Sequence, residues 1–60
     1  MYVLLTDENK YFVEYLLGEL ILSESITQAM LFESSVLAEK FQFMLHEKFH
    51  INTSINTFID

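Results

Sequence analysis

The stretch YVLLTDENKYFVEY, Tyr2 to Tyr15, admits two readings, and the fold turns on which one holds. With a period of two, Val3, Leu5, Tyr11, Val13 and Tyr15 alternate with Leu4, Thr6, Phe12 and Glu14 around the polar group Asp7-Glu8-Asn9-Lys10, which has the length of a hairpin loop. With a period of 3.6, Phe12, Val13, Leu16, Leu17, Leu20 and Ile21 form a helical stripe that Asp7 is placed to cap. Tyr11, Phe12 and Val13 suit a pleated surface, and Gly18 would cost a helix interior about 1 kcal/mol. The hairpin is the favoured reading.

Working outward, Glu19 to Leu22 reads as a further short strand or the end of the second one. Ser23 to Thr27 reads as a turn whose serine side chains can bond the backbone. The short apolar segment Gln28 to Phe32 fits a strand in the sheet centre, with room for one helical turn around Ile26 to Ala29 before it. A helix is expected from Val36 to Lys48, capped by Ser34 or Ser35, with Leu37, Ala38, Phe41, Met44, Leu45 and Phe49 on one arc. His46, Glu39 and Gln42 face away from that arc, and Val36 and Phe43 form a smaller apolar stripe on the far side. His50 to Ile59 reads as a returning strand, ragged at its end. The expected fold is α+β, a single domain over residues 1–60: an antiparallel sheet with one helix on a face, in the order β-β-β-α-β. The alternative is an all-helical hairpin or bundle, with helices near 8 to 22 and 26 to 49.

A chain of 60 residues supports one core, because domains of this size bury only about 60% of their unfolded surface. Such folds usually need a staple. There is no cysteine for a disulfide, which also favours a reducing compartment, and self-association is the staple that remains. Val36 and Phe43 are the residues placed to make a homodimer. The N-terminus has no signal-peptide pattern, and the apolar run around Leu20-Ile21-Leu22 is broken by Glu14, Gly18 and Glu19, short of the roughly 20 residues that span a bilayer. A soluble, cytoplasmic protein is expected.

Nine acidic residues face three lysines and no arginine, a formal charge of -6. Phosphate affinity needs clustered Lys and Arg, so direct nucleic-acid binding is disfavoured, as is an anionic membrane. A partner with a basic surface is the complement. His46 and His50 are spaced to share a helix face but have no third ligand, and they read as charges at a helix C-terminus rather than a metal site. No histidine, cysteine or lysine clusters with Glu14, Glu19, Glu24 or Glu33, and the chain is too short for a sizeable pocket. The expectation is a non-enzymatic protein without a cofactor. Recognition by a surface remains: Phe12, Phe32, Phe41 and Phe49 read largely as core, while Tyr11 and Tyr15 share one strand face, with Glu14 on the other.

The start YVLLTDENKYFVEY, the segment ITQAMLF with Ala29 and Phe32 carrying the pattern, the capped helix SSVLAEKFQFML and the closing polar strand together resemble small uncharacterised proteins of phages and mobile elements in low-GC Gram-positive bacteria. The likeness covers nearly the whole chain, and its motifs are structural. Within that group, LLTDENK followed by Glu14-Tyr15, then Gly18, then Met30-Leu31-Phe32 ahead of the helix, is similar to the small dimeric uracil-DNA glycosylase inhibitors of Bacillus phages. In that family an acidic dimer occupies the DNA groove of the host enzyme, which implies roles for Glu14 and Phe32 at the contact. The chain departs from the family in having Phe32 where a tyrosine is usual, a longer segment between Gly18 and Met30, and an added C-terminal strand.

The expected function is that of a phage-type inhibitor of a host DNA-processing or defence enzyme. Glu8, Glu14, Glu19, Glu24 and Glu33 would stand in for DNA phosphates, and Tyr11, Tyr15 and Phe32 would anchor the contact. The alternative is a small homodimeric structural or regulatory accessory protein joined through Val36 and Phe43.

Overall fold

Thr6 closes the first strand and organises the turn that follows. Its buried hydroxyl accepts from the amides of Glu8 at 3.3 Å and Lys10 at 3.1 Å. Its own amide donates to the Lys10 carbonyl at 2.7 Å, and its carbonyl accepts from Asn9 at 3.0 Å. Asn9 takes the left-handed conformation, φ 63°, that lets the chain come back. In the computed structural model, which describes residues 1–59, this turn joins β1 (Tyr2–Thr6) to β2 (Tyr11–Leu16). The period of two governs the opening stretch, and no helix forms over it.

A tight reversal at Leu17-Gly18 leads to β3 (Glu19–Ser23), followed by a single 3-10 turn (Ile26–Gln28), the helix α1 (Ser35–Phe49) and β4 (Thr53–Thr57). The fold is α+β, a four-stranded antiparallel sheet in the order β3-β2-β1-β4 with the helix on one face. Ser34 accepts from the Leu37 amide at 3.1 Å and starts α1. His50, left-handed at φ 57°, ends it by donating its amide to the His46 carbonyl. No helix among the described residues is long and apolar enough to cross a membrane.

Strand pairing departs from the sequence expectation at three places. The last strand is shorter than the expected His50 to Ile59: β4 spans Thr53–Thr57, pairs with β1 along that whole length, from Tyr2↔Thr57 to Thr6↔Thr53, and ends before Phe58. Between β2 and β3 the register slips, Phe12 opposing Leu22 and Glu14 opposing Ile21, so Val13 is an extra residue in a β-bulge. The slip changes the parity of β2. Tyr15 therefore joins Phe12 on the helix side, packing edge-on against Phe49 at 5.4 Å, while Tyr11 stays on the outer face. The two tyrosines expected on one face lie on opposite ones.

The third departure concerns Gln28 to Phe32. β1 and β2 pair at Leu5↔Tyr11 and then part. Met30 donates its amide to the Phe12 carbonyl of β2 at 2.9 Å, and Phe32 exchanges two backbone bonds of 2.9 Å with Tyr2 of β1. The segment lies in the sheet centre as expected, but as a wedge whose bonds are divided between two diverging strands. It cannot run on as a regular strand because no single neighbour follows it.

The core gathers where the wedge enters. Leu4, Phe12, Phe32, Ala38 and Leu45 are buried, and Phe41 closes over them with its ring centre 5.1 Å from Phe32 and 5.6 Å from Phe12. Gln42, expected to face solvent, instead donates its side-chain amide to the Thr53 carbonyl at 2.7 Å and ties α1 to β4. A chain of this length has a total stability of roughly 3–9 kcal/mol, and emptying a buried phenylalanine site costs about 3–5 kcal/mol. Phe12→Ala is accordingly expected to leave a large unfolded fraction in water at 25 °C, whereas Phe43→Ala, at an exposed site, leaves the urea midpoint nearly unchanged. Circular dichroism across a urea series checks both; equal behaviour of the two variants would refute this placement of the core.

Candidate functional site

The reversal between β2 and β3 places its central residues, Leu17 and Gly18, at φ 53° and 82°. Two successive positive φ values are the mark of a type I′ turn, the geometry that matches the twist of a two-residue hairpin. Gly18 meets that demand without cost. Leu17 does not, because the left-handed region brings a Cβ against the following carbonyl and costs an ordinary residue about 1 kcal/mol or more. Its side chain gains nothing in return from packing, being 94% exposed. Folding therefore does not explain a leucine here, where asparagine or glycine would serve better.

The residues beside the tip extend the same surface. Leu16 opposes Glu19 and Glu14 opposes Ile21, while the intervening pair Tyr15 and Leu20 packs on the helix side. Glu14, Leu16, Glu19 and Ile21 thus share the outer face, all of them exposed. Glu14 and Glu19 lie at diagonal positions, about 7–8 Å apart by sheet geometry. The hairpin end presents an apolar ridge of Leu16, Leu17 and Ile21, flanked by two carboxylates.

The other residues singled out from the sequence fall elsewhere. Glu8, in the β1–β2 turn, and Glu24, just after β3, are exposed at the far end of β2, where Tyr11 opposes Ser23 and is half-buried. Glu33 is exposed immediately after the wedge. Phe32 is 1% exposed and cannot anchor a partner; the wedge carries it beneath the helix. Tyr15 is likewise committed to Phe49. Val36 and Phe43 are exposed along one stripe of α1, and Phe43 borders a groove of about 440 Å³ between the helix and the start of β4. Among the described residues no group of three or more His, Asp or Glu side chains comes together to hold a metal ion.

In the sequence, Leu16 and Leu17 belong to a helical stripe and Ile21 to that stripe or to a short strand, and none of the three reads as a contact residue. The signal was Gly18: taken as the second residue of a tight turn, it puts Leu17 at the tip.

The chain matches no protein-family model, no curated protein and no solved structure. Any functional reading has to stand on the geometry of this surface.

Replacing Leu17 by asparagine supplies the Asn-Gly pair that a type I′ turn favours. Leu17→Asn is expected to raise stability by up to about 1 kcal/mol, read as a higher urea midpoint. An unchanged or lower midpoint would mean that the leucine serves the fold.

Proposed function

We propose that the chain is a non-enzymatic, acidic binding protein of the phage-inhibitor kind, acting in the host cytoplasm on a DNA-processing or defence enzyme through the β2–β3 hairpin. The observation that carries the proposal is Leu17, held at a conformational cost and 94% exposed between Glu14 and Glu19. A strained apolar residue in water is stabilised once a partner covers it. Its complement is an apolar hollow bordered by basic side chains, an arrangement found where an enzyme grips a nucleic acid by base and phosphate together. Leu16, Leu17 and Ile21 take the anchoring role that the sequence suggested for Tyr15 and Phe32, and the carboxylates occupy places where phosphates would sit. The net charge of -6 speeds the encounter with such a surface. Glu8, Glu24 and Tyr11, at the far end of β2, and Glu33 beside the wedge extend the acidic surface outward.

A second reading, a homodimeric structural or regulatory accessory protein, is favoured by one further observation: Val36 and Phe43 lie exposed on a single helix stripe.

The test is affinity capture from a low-GC Gram-positive lysate at low and at high salt, using the wild type, Glu14→Lys and Leu17→Asn. The inhibitor reading expects one DNA-handling enzyme, lost at high salt and displaced by DNA. Burying a leucine is worth about 1.5–3 kcal/mol, so Leu17→Asn should weaken that complex roughly tenfold to a hundredfold while making the free protein more stable. Glu14→Lys should weaken it most at low salt. Capture that ignores both salt and these two substitutions would refute the proposal.

A further inference from the structure

Residues 49 to 59 contain no Asp, Glu, Lys or Arg, in a chain that carries nine acids and three lysines. Within them lies β4, an edge of the sheet. Exposed edges are normally blunted by a lysine, a proline or a bulge, because their unpaired amides and carbonyls accept another strand. β4 has none of these, and it pairs with β1 without a register slip.

The groups it offers follow from the ladder. Tyr2 spends both backbone groups on Phe32, and the Thr6 amide is bonded to Lys10, so the even-numbered residues of β1 turn their bonds away from β4. Their partners Thr57, Ile55 and Thr53 are therefore the non-bonded positions of the β1–β4 ladder, with backbone groups directed to the open edge. Glu39 and Phe43 of α1 line the groove next to Thr53, and by the helical repeat they share an exposed stripe with Val36 and Lys40.

We propose that this edge is paired by a second copy of the chain, β4 against β4, antiparallel about a two-fold axis through Ile55, giving a continuous sheet with the two helices side by side. The inference rests on the homodimer reading and gives it a place and a register. Two acidic chains repel, and the charge-free strand is where they can approach. In this register Ile55 faces its own copy, and Thr53 faces Thr57 in both directions. The Thr53 carbonyl, bonded to Gln42, keeps a second lone pair for the incoming amide.

The helix stripe agrees with the same axis. Gln42 marks the level of Thr53, and the two strand residues on to Ile55 advance about 6.6 Å, or about four residues of helix. The axis thus passes α1 near Ala38 and Glu39. The stripe from Val36 to Phe43 has its midpoint between Glu39 and Lys40. Val36 of one copy is set toward Phe43 of the other, and Glu39 toward Lys40, so the apolar and the charged pairs are both complementary.

Sedimentation equilibrium up to high micromolar concentration is the test, with Thr57→Pro and Phe43→Lys beside the wild type. Thr57 is exposed and its amide points outward, so proline there removes a bond only from the proposed pairing. The wild type is expected at twice the chain mass of 7.1 kDa, and both variants at the single mass with unchanged circular dichroism. Amide exchange in the wild type gives an independent reading: Ile55 and Thr57 should exchange more slowly as concentration rises. A wild-type dimer that survives Thr57→Pro, or in which these amides exchange fast, would overturn the strand pairing and leave the homodimer standing. A wild type that stays monomeric at high micromolar concentration overturns both.

Discussion

Phe12 is the residue on which the rest of the structure depends. Its ring lies 6.3 Å from Phe32 and 5.6 Å from Phe41, its carbonyl receives the Met30 amide, and its β3 partner is Leu22. It thus joins three separate parts of the chain: the opening hairpin, the wedge and the helix. The constraint behind this junction is backbone hydrogen bonding. Once the bulge at Val13 bends β2 away from β1, the facing backbone groups of both strands need partners, because buried unpaired amides and carbonyls are costly. Met30 and Phe32 supply them. The segment that repairs the sheet also delivers an aromatic ring to its centre.

This arrangement settles what is left for the surface. One helix covers one face of the sheet, and on the other face burial is complete at Val3 but not at the β2–β3 end. Among the exposed apolar residues two groups stand out, Leu16, Leu17 and Ile21 at the β2–β3 tip and Val36 and Phe43 on the outer stripe of α1, while Met1, Ile26, Leu31, Leu37 and Ile59 are exposed elsewhere. The two places differ in charge. The tip is framed by Glu14 and Glu19, whereas β4 beside the helix stripe is neutral. An acidic frame suits a basic partner and a neutral edge suits a copy of the same chain, so the two surfaces can serve different partners without competing.

The hairpin turn at Asp7 to Lys10 and the helix were both legible from residue patterns, because each is decided locally. Thr6, Asn9 and Ser34 act on residues no more than a few positions away, and the arc from Ala38 to Phe49 needs only the helical repeat to be seen, although Leu37, expected on that arc, lies in the first turn and is exposed. Less could be read of the contact surface. Glu14 and Glu19 were recognised as exposed carboxylates, but Leu17 was hidden in a pattern shared by strand and helix. Phe32 was expected to reach a partner and is in the core, since a short apolar segment does not disclose how many neighbours it will have.

By itself, the sequence determined the strongly acidic balance and a length that supports one core, and it favoured the α+β class over an all-helical one and placed the first turn and the helix start to within a residue, because these follow from composition and from interactions spanning a few residues. Only the tertiary structure decided the bulge at Val13, the wedge, the face taken by Tyr15 and the bond from Gln42 to Thr53. Each of these depends on which strand lies beside which. A backbone group has one local geometry but many possible distant partners, and that choice is made when the whole chain closes over Phe12.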